Sequence, residues 1–263
     1  MDLAIGGIGC IAPGLVGWAE ARPILGGDLS YASTPLPRLV PKDLAPNERR
    51  RLGQITRLAL SAGQDALAQA VTDASSLATV FTSASGDGEI IHSVCRELAR
   101  PTPALSPTKF HHSVHNAPAG YWAIARQDHA PSTSVSAHDA SFAAGLLEAT
   151  TQVKSGHAVL LVAYDRADPF PLSLACPIIG SFACALLLYH PATVTAAEAM
   201  ITLAIGPAEP ETRLDIPELE ILRRNNPAAR ALPWLAALAR GGKTRTVLPY
   251  LDDRTLIIQT RSG

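Results

Sequence analysis

Two long apolar runs constrain the fold of this chain more than any other feature. The segments AVLLVAYD (158–165) and IGSFACALLLYH (179–190) are almost free of charged residues. Such uninterrupted runs are typical of strands in the middle of a sheet that is covered on both faces. Both are shorter than the roughly eighteen apolar residues that a membrane helix needs. The two runs therefore predict the centre of a large sheet with both faces buried.

Segments with the patterns of strands and helices alternate along the rest of the chain. Residues 47–71 have apolar residues at a 3.6-residue period and predict one long helix with Asn47 as its N-cap. This alternation predicts an α/β protein with a mixed, largely parallel sheet and helices on both sides. Further strands are predicted at 2–9 and 76–85, and further helices at 86–99 and 116–127.

The pattern of apolar and polar residues changes after His190. The pattern there predicts a strand, two short helices and a hairpin about Asp252-Asp253. We expect residues 1–190 to form the core and residues 191–263 to form a short α+β extension packed on it. The predicted strand covers 198–206, and the predicted helices cover 216–225 and 232–240.

Composition and charge exclude several classes of function. The chain has 22 Lys and Arg residues against 23 Asp and Glu residues, a formal net charge of −1, so binding to nucleic acid is not expected. No segment predicts a membrane span, and the N-terminus lacks the basic region of a signal peptide. Four cysteines are scattered without the spacing of metal ligands. We therefore expect a cytoplasmic protein with reduced cysteines and no cofactor.

Three short motifs suggest ligand sites, but a structural role explains each of them better. The glycines at 6–9 do not match the dinucleotide pattern G-x-G-x-x-G and predict a tight turn. His111, His112 and His115 lack the nearby carboxylates of a metal site and are expected at an interface or a pocket wall. The segment 85–89 lacks the Lys and Ser/Thr of a phosphate-binding loop, so it predicts a turn before a helix.

The most informative local segment is PSTSVSAHDASFAAGLLEA (131–149). It predicts a buried strand at Thr133–Ala137 that turns directly into an amphipathic helix from Ser141. Many α/β enzymes place a nucleophile on such a turn. The turn carries His138 and Asp139, but residues so close together at a helix start cannot align as a Ser-His-Asp triad. Asp139 is expected to be the N-cap of the helix.

The segment SPTKFHHSVHNAPAGYWAI (106–124), followed by PSTSVSAHDAS (131–141), resembles the N-terminal half of β-ketoacyl synthases, which are condensing enzymes with the thiolase-like α/β fold. In that family a Ser-Pro pair opens a segment with N-x-x-A-G, and a Pro-Ser block then leads to the nucleophilic cysteine. IGGIGCIAPG, RRRLGQITRLAL and GSFACALLLY resemble further family segments, so the resemblance covers about residues 1–190. It implies a thiolase-like fold with the N-terminal half retained and the C-terminal half truncated. The matching residues are Ser106, Pro107, Asn116, Ala119, Gly120, Pro131, Ser132, Ser134, Val135 and Ser141.

The position of the nucleophilic cysteine departs from the family pattern. It falls on Asp139 without a gap, and a shift of one residue places it on His138. Neither side chain can form the acyl thioester, and a carboxylate at a helix N-terminus is a poor nucleophile because it is stabilised as an anion. The family's two catalytic histidines belong to its second half and have no counterpart after His190. The chain is therefore not expected to condense acyl groups itself.

Within the family, the resemblance is to short chain-length-factor-like subunits that pair with a catalytic ketosynthase, as in aryl-polyene pathways. It implies a heterodimer in which the strand Thr133–Ser136 pairs antiparallel with its counterpart in the partner. An acyl carrier protein would be reached through this complex. Lys109 and Phe110 would lie in the partner's acyl tunnel, where the chain limits product length. The implied tunnel and interface residues are Lys109, Phe110, Asn116, Tyr121, Trp122, Thr133, Ser134, Val135, Ser136 and Phe142.

Two other functions stay open from the sequence. A diverged thiolase-like enzyme that uses Asp139 or His138 as a base, for example to decarboxylate a malonyl thioester, predicts turnover by the chain alone. The substitution Asp139→Asn would then abolish that turnover. A homodimeric protein that binds acyl carriers or acyl chains without chemistry predicts instead a soluble, defined dimer when the chain is expressed alone.

Overall fold

The structure of the chain is a computed structural model that describes residues 1–70, 77–194 and 196–262. Nine strands of these residues form one mixed sheet. The strands are β1 (Asp2–Ala12), β2 (Leu15–Val16), β3 (Ala78–Thr82), β4 (Ser132–Val135), β5 (Val159–Arg166), β6 (Ser181–Tyr189), β7 (Ala199–Pro207), β8 (Thr244–Leu251) and β9 (Arg254–Ser262). The helices are α1 (Trp18–Gly26), α2 (Pro46–Arg51), α3 (Gln54–Ala68), α4 (Gly88–Leu98), α5 (Pro107–His112), α6 (Ala117–Arg126), α7 (Ser141–Lys154), α8 (Pro217–Asn225) and α9 (Leu232–Arg240).

The strand order is β4-β3-β5-β6-β1-β7-β9-β8, and β2 pairs with the end of β1. Among the described strands, β3 makes the two parallel pairs, with β4 and with β5. The other pairs are antiparallel. The prediction of a largely parallel sheet is therefore wrong. Parallel neighbours need a crossover, usually a helix, whereas the described residues between β5 and β6, between β6 and β7 and between β8 and β9 form no α-helix.

The sheet is covered on both faces, as the apolar runs predict. Alternate side chains of β5 enter two different cores: Leu161 belongs to the core that includes residues of α1, α7 and α9, whereas Leu160 and Val162 belong to the core that includes residues of α3 and α6. Every residue of β5 from Val159 to Asp165 is buried. None of the described helices is both long and apolar enough to span a membrane.

The glycines of β1 allow α3 to lie very close to the strand. A Cβ atom on Gly7 would lie 2.2 Å from the carbonyl oxygen of Ala66, and one on Gly9 would lie 2.1 Å from that of Ala62. The prediction of a tight turn at 6–9 is therefore wrong, because the strand continues through these residues. Their lack of a side chain serves close packing of a helix backbone on the strand.

The helix predicted over 47–71 is broken into α2 and α3. Leu52 is extended, with a ψ of 128°, and α3 begins after Gly53. No residue of α2 is buried, whereas Leu52 is, so the break turns the chain into the core. Asn47 is not an N-cap, because Pro46 takes the first helical position that its fixed φ favours. The last residue of the predicted range lies outside the described residues.

The C-terminal elements extend the same sheet. β7 pairs with β1, β9 pairs with β7, and β8 pairs with β9. The structure confirms the predicted strand at 198–206, the helices at 216–225 and 232–240, and the hairpin about Asp252-Asp253. The boundary at residue 190 falls between β6 and β7, and both of these strands are neighbours of β1 in the sheet.

Candidate functional site at the carboxyl edge of the sheet

Three neighbouring strands end at the same edge of the sheet. β3 is parallel to both β4 and β5, so the carboxyl ends of all three lie together. The segments that follow them begin at residues 83, 136 and 167, and Asp165 lies next to last in β5. Ligands of open α/β sheets bind outside the carboxyl ends of the strands. This edge is therefore the candidate functional site.

The chain turns sharply between β4 and α7. A 3-10 turn covers His138–Ala140, and His138 has a φ of 50°, which is uncommon for a residue other than glycine. Ser141 fixes this turn, because its Oγ donates to the carbonyl of His138 at 2.6 Å and accepts from the N–H of Ala137 at 3.0 Å. The turn has the strand-to-helix geometry that presents a nucleophile in other α/β enzymes, with His138 in the left-handed conformation.

Asp139 does not cap α7, so that prediction is wrong. The 3-10 turn shifts the N-cap position to Ala140, and no side chain caps the helix there. The Asp139 side chain is 64% exposed, with Oδ1 3.7 Å from Nδ1 of His138 and Oδ2 3.8 Å from Nη2 of Arg230. Contacts this long and exposed hold a side chain weakly. The turn therefore presents two exposed polar side chains and no thiol.

Asp165 joins separate parts of the chain at this edge. Its Oδ1 accepts from Oγ of Ser83 and from the N–H of Ala84, both at 2.8 Å, and its Oδ2 accepts from the N–H of Ala228 at 3.0 Å. The residue is fully buried. Burial raises the pKa of its carboxyl group to about 7, although the hydrogen bonds favour the carboxylate. Asp165 thus ties the end of β3 to the C-terminal part of the chain.

Cys176, in the loop between β5 and β6, is the cysteine whose pKa is influenced by Asp139. Burial raises the pKa of its thiol, and the charges of Asp168, Asp165 and Asp139 raise it further. A nucleophilic cysteine needs the opposite surroundings, such as a cation or a helix N-terminus that lowers its pKa. Cys176 therefore lacks the surroundings of a nucleophilic cysteine.

β4 is an edge strand, with no partner on its outer side among the described residues. The N–H of Ser83 donates to the carbonyl of Val135, so odd-numbered residues of β4 turn their backbone groups toward β3. By the two-residue period of a strand, the N–H and C=O of Ser134 point outward. The prediction of a buried strand at 133–137 is wrong, because an edge strand leaves these residues half-buried or exposed.

Two polar side chains of the predicted interface strand bond within the chain. Oγ1 of Thr133 accepts from Nε2 of Gln152 at 2.9 Å. Oγ of Ser136 donates to the carbonyl of Ala84 at 3.0 Å, which links the turn after β4 to the segment after β3. These hydrogen bonds leave the outward backbone groups of the strand as the groups that can pair with another strand.

Two aromatic residues of the predicted interface are core residues. Trp122 is 5% exposed and lies 6.3 Å from Phe81 between ring centroids. Phe142 is 1% exposed and lies 6.2 Å from Trp234 by the same measure. A side chain buried in its own chain forms no part of an outer surface. These two residues can only support a surface from below.

An open pocket of about 450 Å³ lies between α5 and α6. Tyr121 and His112 form its buried wall, with the Tyr121 hydroxyl 2.6 Å from Nε2 of His112. Burial raises the pKa of Tyr121 and lowers that of His112, so both groups are favoured in their neutral forms. Asn116, at the N-cap position of α6, also lines the pocket.

The three histidines of this region do not converge on a point. His111 and His112 line the pocket, as expected for residues of a pocket wall. The third, His115, places its Nε2 3.0 Å from the carbonyl oxygen of Ser83 at the carboxyl edge. No group of three or more His, Cys, Asp or Glu residues able to hold a metal ion occurs among the residues that the structure describes.

The segment from α4 to α5 carries an exposed apolar surface. Phe110 is 61% exposed, and Nζ of its neighbour Lys109 donates to Oγ of Ser93 at 2.8 Å. In α4 the one buried residue is Gly88. Contiguous exposed apolar surface often marks an interaction site. The large apolar side chains exposed here are Leu98, Leu105, Phe110 and Val114.

Sequence reasoning missed two residues of the site. Asp165 ends the apolar run of β5 at the carboxyl edge, a position that could have identified it. Arg230 comes from a 3-10 turn before α9 and lies near Asp139, 91 residues away along the chain, so no local pattern marks it. Its side chain also lies 3.6 Å from Glu211.

Comparisons with known proteins agree with this geometry. A family model described as the β-ketoacyl synthase N-terminal domain matches residues 31–243. The complex of a ketosynthase (ApeO) with its chain length factor (ApeC) from Xenorhabdus doucetiae contains a chain that is 27% identical, with a TM-score of 0.75 over 98% of this chain and 99% of that one.

Two further structures match the whole chain at lower identity and so show the fold alone. The ishigamide ketosynthase/chain length factor matches with 13% identity and a TM-score of 0.75, over 100% of this chain and 99% of that one. A type II polyketide synthase acyl carrier protein in complex with its ketosynthase matches with 12% identity, a TM-score of 0.75 and the same coverage. None of the curated proteins matches this chain.

Proposed function

Because the chain belongs to the β-ketoacyl synthase family through its N-terminal domain, we propose that it is a non-catalytic partner of a catalytic β-ketoacyl synthase. In this role it forms a heterodimer and shapes the acyl tunnel of its partner, as a chain-length-factor-like subunit of polyene, polyketide or fatty-acid-type elongation. The thiolase-like α/β fold expected from the motifs is confirmed. Four free cysteines accord with a cytoplasmic location.

The turn after β4 carries the proposal. It has the backbone of a nucleophile turn, with His138 at a φ of 50°, but its side chains are an imidazole and a carboxylate. Acyl transfer in this family passes through a thioester, which needs a thiolate. The cysteine in electrostatic contact with the turn, Cys176, has a raised pKa and so little thiolate.

The outer edge of β4 supports the heterodimer. An unpaired edge strand presents a row of backbone donors and acceptors that another strand can continue. The four exposed apolar residues named above, Phe110 among them, would add apolar area to such an interface. Lys109 lies next to Phe110 on α5 and would enter the partner's tunnel with it.

Co-expression with a full-length ketosynthase of the same organism tests the proposal. We expect a one-to-one complex by size exclusion and mass measurement, and poor solubility of the chain alone. If the chain forms a soluble homodimer that does not bind the ketosynthase, the proposal is contradicted. Turnover of malonyl-carrier substrates by the purified chain, abolished by Asp139→Asn, would contradict it in favour of a decarboxylase.

A pair of variants tests the role of the β4 edge. Ser134→Pro removes the outward N–H without removing a hydrogen bond to β3, so it should weaken the heterodimer while the chain still folds. Ser134→Ala keeps the N–H and is the matched control. Equal amounts of complex with both variants, measured by co-purification, would contradict strand pairing at this edge.

Two further variants test the proposed tunnel wall. Phe110→Ala should lengthen the product or broaden its length distribution, because it removes a large exposed side chain from the wall. Lys109→Ala should alter product length less, because its Nζ bonds to Ser93 within the chain. Unchanged product lengths and unchanged complex stability in both variants would refute this part of the proposal.

A further inference from the structure

A second pocket lies on the α3 face of the sheet, at the start of that helix. It measures about 540 Å³ and is bounded by α3, the extended segment 36–39 and the facing ends of β5 and β6. None of its lining residues is acidic, whereas three are arginines: Arg38, Arg57 and Arg166. An anion would be attracted to a concave surface of one sign of charge.

Two acidic residues near these arginines are in ion pairs, and a third, Asp87, lies beside Gly53 and accepts from the N–H of Ile90. Arg166 contacts Glu89 at 2.8 Å, so its charge is balanced. On α2, Glu48 contacts Arg51 at 3.3 Å. Arg38 and Arg57 have no ion pair with a carboxylate among the residues that the structure describes. The pocket therefore keeps two uncompensated positive charges.

The guanidinium of Arg57 is held in place by hydrogen bonds and still has N–H groups that could bind a ligand. Its Nε donates to the carbonyl of Leu52 at 3.3 Å, its Nη1 to that of Leu39 at 3.4 Å and its Nη2 to that of Arg49. A guanidinium has five N–H groups, so two are left without an acceptor in the described part of the chain. Burial and the nearby charges of Arg38 and Arg49 lower the pKa of Arg57, as expected where positive charge is not neutralised.

The geometry points to a binding site for a phosphate monoester carried on an apolar chain, a ligand class that is separate from the proposed partner function. Arg38 and Arg57 take the phosphate, because two guanidinium groups match its double negative charge above a pKa of about 6. The apolar part of the ligand contacts the apolar residues that line the pocket. These are Leu36, Pro37, Leu39 and Leu58.

Titration calorimetry with octyl phosphate at pH 8 and low salt tests the site. We expect saturable binding that is at least tenfold weaker for octyltrimethylammonium, which has the same chain and the opposite charge, and for butyl phosphate, which has a shorter chain. Octanoate should also bind more weakly, because it carries a single charge. If octanoate binds as tightly as octyl phosphate, the site does not recognise phosphate. If octyltrimethylammonium binds as tightly as octyl phosphate, the site recognises only the apolar chain, and the proposal is refuted.

Variants locate the binding to the two arginines. Arg38→Gln changes an exposed side chain and should weaken octyl phosphate binding about fivefold or more. Arg57→Gln should weaken it further, although this change also removes contacts to three backbone carbonyls. Arg240→Gln, an exposed arginine at the end of α9 on the opposite face, is the control and should bind normally. Normal binding by Arg38→Gln would overturn the proposal even if Arg57→Gln does not fold.

Discussion

Replacing Asp165 by asparagine should change how the stability of the chain depends on pH. Asp165 is buried among three donors, and burial raises the pKa of its carboxyl group from 3.8 to about 7. A raised pKa means that the folded state holds the proton more tightly than the unfolded state does. The stabilisation is therefore complete below the unfolded pKa and is lost as the pH rises through about 7.

The size of the effect follows from these two pKa values. Between pH 5 and pH 8 the free energy of unfolding of the wild type should fall by about 2 to 3 kcal/mol through this group. Asparagine does not titrate, so Asp165→Asn should lack this part of the fall. At every pH the variant should also lose about 1 to 3 kcal/mol, because its amide nitrogen would face the N–H of Ala228.

Urea unfolding at pH 5, 6.5 and 8, followed by tryptophan fluorescence, measures this difference. Other groups titrate in both proteins, so their effects cancel when the variant is subtracted from the wild type. The difference in the free energy of unfolding should shift by about 2 to 3 kcal/mol across the range. Parallel pH profiles would show that Asp165 stays ionised throughout, and the account of the buried carboxyl group would then be refuted.

Three other predictions test the packing and the reactivity of the site. Gly9→Ala should destabilise the chain by about 3 kcal/mol or more in urea unfolding, because its Cβ would lie 2.1 Å from a backbone carbonyl oxygen; Gly27→Ala, where no atom lies within 4 Å but φ is positive, should cost only about 1 kcal/mol. Tyr121→Phe should lower the free energy of unfolding by about 1 kcal/mol, because it removes the hydrogen bond to His112. An unchanged free energy of unfolding would mean that water replaces the Tyr121 hydroxyl as the partner of His112. Cys176 should react with iodoacetamide at pH 7 more slowly than free cysteine, measured by mass spectrometry, whereas a faster rate would contradict its raised pKa.

The local pattern of apolar and polar residues was enough to predict most helices and strands but not how they are arranged in the fold. The apolar runs identified β5 and β6 as central strands, because burial on both faces removes polar residues from the sequence itself. Strand direction depends on how the chain crosses the sheet, and no residue within a strand encodes that. The role of Gly7 and Gly9 was missed for a similar reason, since it depends on α3, which packs against them from more than 50 residues away.

In the candidate site, too, the local features could be predicted from the sequence and the contacts between distant residues could not. The turn at His138 was found because a strand, a turn and a helix follow one another in sequence. Its contacts with Thr82, Ala84 and Arg230 were not found, because these residues lie more than 50 positions away along the chain. The N-cap predicted for Asp139 failed because a 3-10 turn, which the sequence pattern does not distinguish from a helix start, shifts the helix by one position.

The geometry of the turn does not depend on a nucleophile. Ser141 holds it through its hydroxyl, and the carbonyl of Ser141 accepts from Oγ1 of Thr82 at 2.7 Å, so β3 supports the first turn of α7. Asp165 supports the adjoining segment from below the same edge. None of these contacts uses the side chain at position 138 or 139. The fold of this turn is therefore independent of which side chains stand at positions 138 and 139.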